Sequence, residues 1–245
     1  MVATPAWPPR SLPRLFVAAP LGVGASVALE GGQANYLGNV MRMKAGDSVL
    51  LFDGISGEWL AEVVEAGRKR VTLVVREPTR PQEEVPDLWL AFAPVKKGRV
   101  DWLVEKAVEL GVARLVPVIT QRTIAGKLNL ERMRSHIVEA AEQCGRTALA
   151  SIDLPVSLPT LLRERDAARK LYFADETGRE RAAAAFEPGA AAILIGPEGG
   201  FTPQEAEAIR AAENSIPISL GPRILRAETA ALAAVTAWMA AAGDW

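Results

Sequence analysis

The chain has 245 residues, 49% of them hydrophobic and 23% charged, with a formal net charge of −1. That composition supports a sizeable core and one large domain or a small domain joined to a larger one, and it argues against binding nucleic acid by bulk charge alone. One cysteine (Cys144) and one histidine (His136) exclude an intramolecular disulfide and a Cys- or His-rich metal centre, so no metal site is expected.

No run approaches the roughly 20 apolar residues needed to span a bilayer. The opening MVATPAWPPRSLPRLF is broken by prolines and lacks a continuous apolar stretch, so it does not read as a signal peptide. A cytoplasmic location and no membrane partner are the resulting expectations. Charge is uneven: residues 1–80 carry nine Lys/Arg and seven Asp/Glu. Basic clusters stand at Arg68-Lys69-Arg70, at Lys96-Lys97-Gly98-Arg99 and over 163–170. They permit an RNA partner without requiring one.

Taken in order, 14–77 reads as β-rich. VLLFDG (49–54), EWLAEVVEA (58–66) and RVTLVVRE (70–77) are separated by glycines, a pattern that predicts a small barrel over 1–80. The stretch 78–86, with three prolines, reads as a linker. From 86 to 245 strands and helices alternate. LWLAFAP (88–94) predicts a strand, and Val100, Leu103, Val104, Ala107 and Val108 predict an amphipathic helix closed by Gly111. ARLVPVI (113–119) predicts the next strand. Leu130, Met133, Ile137, Ala140, Ala141 and Cys144 mark a second helix, with the thiol on its core stripe. Strands follow at 170–175, 191–196 and 216–221, with helices from Pro203 and from Glu228 to about Ala242. Such alternation implies a mostly parallel sheet covered on both faces, an α/β fold.

Two segments carry the candidate chemistry. Ile195-Gly196-Pro197-Glu198-Gly199-Gly200 leaves a strand and enters a helix through Thr202, Pro203 and Glu205, the pattern of a capping box with proline at the first helical position. Open α/β sheets bind ligands beyond the carboxyl ends of their strands, where this glycine loop falls. A plain strand-to-helix turn is the alternative, but three glycines in five residues exceed what a turn needs. The second segment, Ser219-Leu220-Gly221-Pro222-Arg223-Ile224-Leu225-Arg226-Ala227-Glu228-Thr229-Ala230, also turns from a strand into a helix. Glu228 suits the positive end of the helix dipole, whereas Arg226 opposes it and calls for a partner such as phosphate or Glu198. A P-loop is disfavoured, because no lysine follows the glycines.

These two segments, with KKGRVDWLVEKAVELGV (96–112) and EAAEQCGRTAL (139–149), closely resemble the family of ribosomal RNA small-subunit methyltransferase E, uridine-N3 methyltransferases of the SPOUT class. The resemblance covers the C-terminal half and, more loosely, the N-terminal barrel. It implies a SPOUT α/β domain with a trefoil knot, a PUA-like RNA-binding barrel, a homodimer, ribosomal RNA as substrate and S-adenosylmethionine as cofactor. The cofactor would lie against Ile195, Gly196, Pro197, Glu198, Gly199, Gly200, Leu220, Gly221, Ile224, Leu225, Thr229 and Ala230. Arg226, Glu198 and Glu228 are the catalytic candidates: Arg226 to orient the base or a phosphate, a glutamate to accept the proton of uridine N3 or to hold Arg226. Arg42, Lys97, Arg99, Arg122 and Arg146 are candidate RNA contacts. In the segment Asn35 to Arg42, asparagine stands where the family often has histidine. The alanine-rich last helix is the candidate dimer interface. Alternatives are another SPOUT enzyme acting on ribose 2′-O, or a non-catalytic RNA-binding protein of the same fold.

Overall fold

A computed structural model of the chain describes residues 12–67, 69–95, 97–124, 128–175 and 182–245. Arg68 and Lys96 of the basic clusters lie outside the described residues, as does the side chain of Lys97. The chain forms two units, one of Met1–Glu84 with Gly145–Ala148 and one of Val85–Cys144 with Leu149–Trp245.

The first unit is a five-stranded sheet in the order β1-β3-β4-β5-β2: β1 (Arg14–Phe16), β2 (Ser26–Glu30), β3 (Ser48–Phe52), β4 (Glu58–Ala66) and β5 (Arg70–Arg80). Only β1 and β3 pair in parallel; the other pairs are antiparallel. Alternating burial along β2 and β3 turns Val27, Leu29, Val49 and Leu51 inward against Val63, Val71 and Leu73. β5 runs three residues further than the sequence suggests and takes in Pro78, Thr79 and Arg80, which read as linker. The prolyl residue is tolerated because it pairs with Trp59 between two register shifts, where the ladder is already irregular. A short helix α1 (Gly31–Asn35) continues into a π-helical turn (Tyr36–Val40), which the strand pattern gave no sign of.

Glu58 is buried in this unit and serves two arginines. Its carboxylate accepts from Arg14 Nε at 2.5 Å, from Arg80 Nη2 at 2.7 Å and from Thr79 Oγ1 at 3.0 Å. The same two guanidiniums donate to the carbonyls of Arg146 and Gly145. Burial pushes the Glu58 carboxyl up, but the hydrogen bonds from Arg80 and Arg14 outweigh it and hold the group below the ordinary glutamate range.

The second unit is built on a parallel sheet in the order β12-β10-β11-β6-β7-β8. Its strands are β6 (Leu88–Phe92), β7 (Arg114–Ile119), β8 (Ser151–Ile152), β9 (Val156–Ser157, also against β7), β10 (Lys170–Ala174), β11 (Ala191–Ile195) and β12 (Ser215–Ile218). β11 is buried along its whole length, as a strand covered on both faces must be. Pro217 stands on the edge strand, where no ladder donor is missed. Helices are α2 (Lys97–Glu109), α3 (Leu130–Cys144), α4 (Leu158–Glu164), α5 (Ala182–Ala185), α6 (Pro203–Ala211) and α7 (Ala227–Ala242). Gly111, at φ +96°, ends α2 in a Schellman motif: Val112 N–H donates to Ala107 O and Gly111 N–H to Val108 O. On one sheet face Leu158 and Leu161 of α4 and Ile209 of α6 pack on Ala91, Val116, Leu171, Phe173 and Leu194.

Helix α4 is absent from the sequence reading because Pro155, Pro159 and a dense charge run mask its two apolar contacts. Ser157 caps it through Thr160 N–H. The basic cluster over 163–170 is no open patch. Arg165 and Arg169 are buried, Arg165 donating to backbone carbonyls and Arg169 pairing with Asp87 over the ring of Trp89. Cys144 is exposed, not core: the last helical residue of α3 lies beyond the stripe that ends at Ala141.

Candidate functional site

All strands of the second unit point their carboxyl ends to one edge of the sheet, so the loops after β6, β7, β11 and β12 leave along the same side. Along the loop after β11, Gly200 N–H donates to Pro197 O, closing a turn with Glu198 and Gly199 at its tip. Gly200 has φ +68°, and an added Cβ at Gly196 would sit 3.1 Å from the Phe201 ring. The left-handed backbone favours glycine at 200, and at 196 a side chain would fit only if the Phe201 ring gave way.

Helix α6 begins with the full capping box. Thr202 Oγ1 accepts from Glu205 N–H, and Glu205 Oε2 accepts from Thr202 N–H. The other oxygen of this buried carboxylate accepts from Gln121 N–H at 2.8 Å, which fastens the loop after β7 to the glycine loop. Arg122 adds a second fastening, donating to Gly199 O at 2.6 Å and to Phe201 O at 3.4 Å. Glu205 reads as a cap in sequence; its second job, across 84 residues, has no local signature.

The loop after β12 turns at Gly221, φ +99°. Ile224 is 94% exposed, and Arg223 and Arg226 are exposed beside it. Arg226 is the N-cap residue of α7 and makes no capping hydrogen bond. Glu228, two residues on, is only 8% exposed, and its Oε2 is buried with no hydrogen-bond partner among the described residues.

Arg99, in the first turn of α2, brings the two loops to one point. Its Nη1 lies 3.9 Å from Glu198 Oε1, and its Nε lies 3.5 Å from Glu228 Oε1. The expected pairing of Arg226 with Glu198 or Glu228 is not formed; Arg99 holds that place. Of the candidate cofactor contacts, Ile195, Gly196, Pro197, Glu198, Gly199 and Gly200 line the first loop, and Leu220, Gly221, Ile224 and Leu225 the second. Thr229 and Ala230 follow Glu228 in α7, Thr229 exposed and Ala230 buried.

The candidate RNA contacts separate. Arg42 is exposed in the first unit and takes the left-handed conformation, φ +56°, which an arginine adopts only at a cost. Arg122 is exposed but already engaged with the glycine loop. Arg146 departs from the expectation: it is 7% exposed, with its side chain 3.7 Å from Glu83, so it is built into the first unit. Trp102 is 45% exposed on α2. His136 sits between Asp101 and Glu139. Among the described residues no group of three or more His, Cys, Asp or Glu side chains could hold a metal, and no helix is long and apolar enough to cross a membrane.

The chain is similar in sequence and fold to known proteins. An RNA methyltransferase domain profile matches residues 81–239, and an RNA methyltransferase PUA domain profile matches 29–76. A ribosomal RNA small subunit methyltransferase E of Neisseria gonorrhoeae, solved with S-adenosyl methionine, superposes with a TM-score of 0.86 at 29% identity, covering 96% of this chain and 100% of the other. A Legionella pneumophila methyltransferase solved with its cofactor gives a TM-score of 0.85 at 31% identity, covering 96% and 100%. The ribosomal RNA small subunit methyltransferase E of Synechocystis sp. is 31% identical over 226 residues, 89% of this chain and 74% of the relative. The first unit is accordingly PUA-like and the second a SPOUT-type α/β domain, and the chain belongs to the RNA methyltransferase family that includes the ribosomal RNA small subunit methyltransferases E.

Proposed function

We propose that this protein methylates N3 of a uridine in small-subunit ribosomal RNA, using S-adenosylmethionine. The observation that carries the reading is the meeting of Glu198, from one glycine loop, and Glu228, from the helix after the other, at a single arginine. The residues fit the cofactor. A Cβ at Gly200 or at Gly221 would point into open space, so both loops keep room for a ligand against bare backbone. The orphaned Glu228 Oε2 is a buried acceptor awaiting a donor. The backbone of 195–200 and of 220–225, with Thr229 and Ala230, would hold the ligand.

When bound, S-adenosylmethionine supplies an already activated methyl group for in-line displacement. The chain's own residues must align the acceptor and remove the N3 proton. Glu228, on the helix that follows the second loop, would accept that proton. Arg226, exposed at the start of α7 and unengaged among the described residues, is placed to orient the base or its phosphate. The base must leave its stack, because N3 lies on the pairing edge. Arg42 and Arg122 would contact the RNA backbone. With ribosomal RNA as substrate, the protein works in the cytoplasm.

The same reading includes the trefoil knot and a homodimer. Ile224 exposed near the site supports a partner there, as do Leu232, Ala233, Thr236 and Ala237, a face of α7 that its own unit only half buries. Sedimentation at micromolar concentration tests the dimer, and a monomer there would remove it.

The test of function is methylation in vitro of small subunits purified without the modification, followed by mass analysis of nucleosides. The expected product is 3-methyluridine, with Arg226→Ala slower by about tenfold or more. A ribose 2′-O-methyl product would overturn the assigned reaction. Unchanged turnover by Arg226→Ala would remove that residue from the mechanism.

A further inference from the structure

We infer that Arg99 is a positioning residue that acts through Glu228: its guanidinium neutralises the buried carboxylate and ties it to the glycine loop through Glu198, while leaving Glu228 free to accept a proton. The inference rests on the proposed methyl transfer and deepens it.

A cation in the first turn of a helix opposes the helix dipole, so Arg99 stands where a basic side chain is unfavourable without a partner. It has two, on segments 99 and 129 residues away in sequence. Burying a carboxylate as deeply as Glu228 costs desolvation energy that a nearby opposite charge offsets. Arg99 supplies it at 3.5 Å, beyond ordinary hydrogen-bond length, and from the side of Oε1. The acceptor capacity of Oε2 is left untouched. Glu198 is at the tip of the glycine turn and half exposed, so the second contact reports the position of the loop to the same guanidinium. Arg99 was a candidate phosphate contact in sequence; its placement between two glutamates disfavours an anion there.

The test is a double-mutant cycle on the full-length protein, read by single-turnover methylation of unmodified small subunits at saturating S-adenosylmethionine. The variants are Arg99→Gln, Arg99→Lys, Glu228→Gln and the Arg99→Gln/Glu228→Gln pair. Arg99→Gln should slow methyl transfer by about tenfold or more with the KM for RNA little changed, and Arg99→Lys should restore most of the rate. The double variant should be no slower than Glu228→Gln alone, because a residue acting through another has nothing left to lose. Additive losses, or a loss confined to the KM for RNA, would overturn the inference and leave the proposed function standing. Full turnover by Glu228→Gln would instead remove the proton acceptor itself. If Arg99→Gln does not fold, the cycle is run with Arg99→Met, which keeps the apolar stem.

Discussion

Each unit holds a cluster of arginine and glutamate, and the two are built in opposite ways. In the first, one glutamate serves two arginines: Glu58 is saturated by short hydrogen bonds, and the same arginines also hold the backbone of 145–146. In the second, one arginine serves two glutamates at 3.5 and 3.9 Å, and a buried oxygen of Glu228 has no hydrogen-bond partner among the described residues. A saturated buried ion pair fixes structure, because losing either side strands a charge. A loosely held carboxylate with spare capacity is poor for stability and suited to chemistry. The difference separates a structural clamp from a site, although both have the same residue types and similar burial.

Removing each glutamate should make the contrast measurable. The largest expected effect is on rate: Glu228→Gln should slow methyl transfer by about 10²-fold or more, the usual contribution of a general base, with the unfolding midpoint nearly unchanged. A midpoint that fell with the rate would make Glu228 structural as well. Glu58→Gln should do the reverse, lowering stability by about 3 kcal/mol in denaturant unfolding while S-adenosylmethionine affinity of the folded protein stays the same.

Acid should sharpen the same distinction. Because the Glu58 carboxyl is held below its ordinary value of 4.5, its contribution is fully present above that value and is lost as the pH falls through it toward the depressed folded value. Wild type should therefore lose stability more steeply than Glu58→Gln below about pH 4.5. Parallel acid profiles would refute the clamp. A smaller effect is expected in the glycine loop, where Gly200→Ala forces a side chain into the left-handed region at about 1 kcal/mol and places a methyl group in the open space. Calorimetry should find weaker S-adenosylmethionine binding, and unchanged affinity would mean the ligand lies elsewhere.

Much of the second unit is legible along the chain. The stripe from Val100 to Val108, the glycine stop at 111 and the box from Thr202 to Glu205 are encoded within one or two turns, and the structure forms each of them. Reading failed where a local rule met a tertiary exception. Pro78 looked like a linker residue but pairs at an irregular point of β5, and the charge run after Leu158 hid a short helix. The basic look of 163–170 dissolved once Arg165 and Arg169 were seen folded inward.

By itself, then, the sequence determined the periodic elements, their caps, the glycine loops and the kinship those loops announce, since these depend on neighbours a few residues apart. Only the tertiary structure decided the partners of the charges: Arg99, not Arg226, meets Glu198 and Glu228, Arg146 is buried, and Glu205 reaches Gln121. Such pairings join segments far apart in the chain, and a charged side chain carries no mark of which distant partner will compensate it.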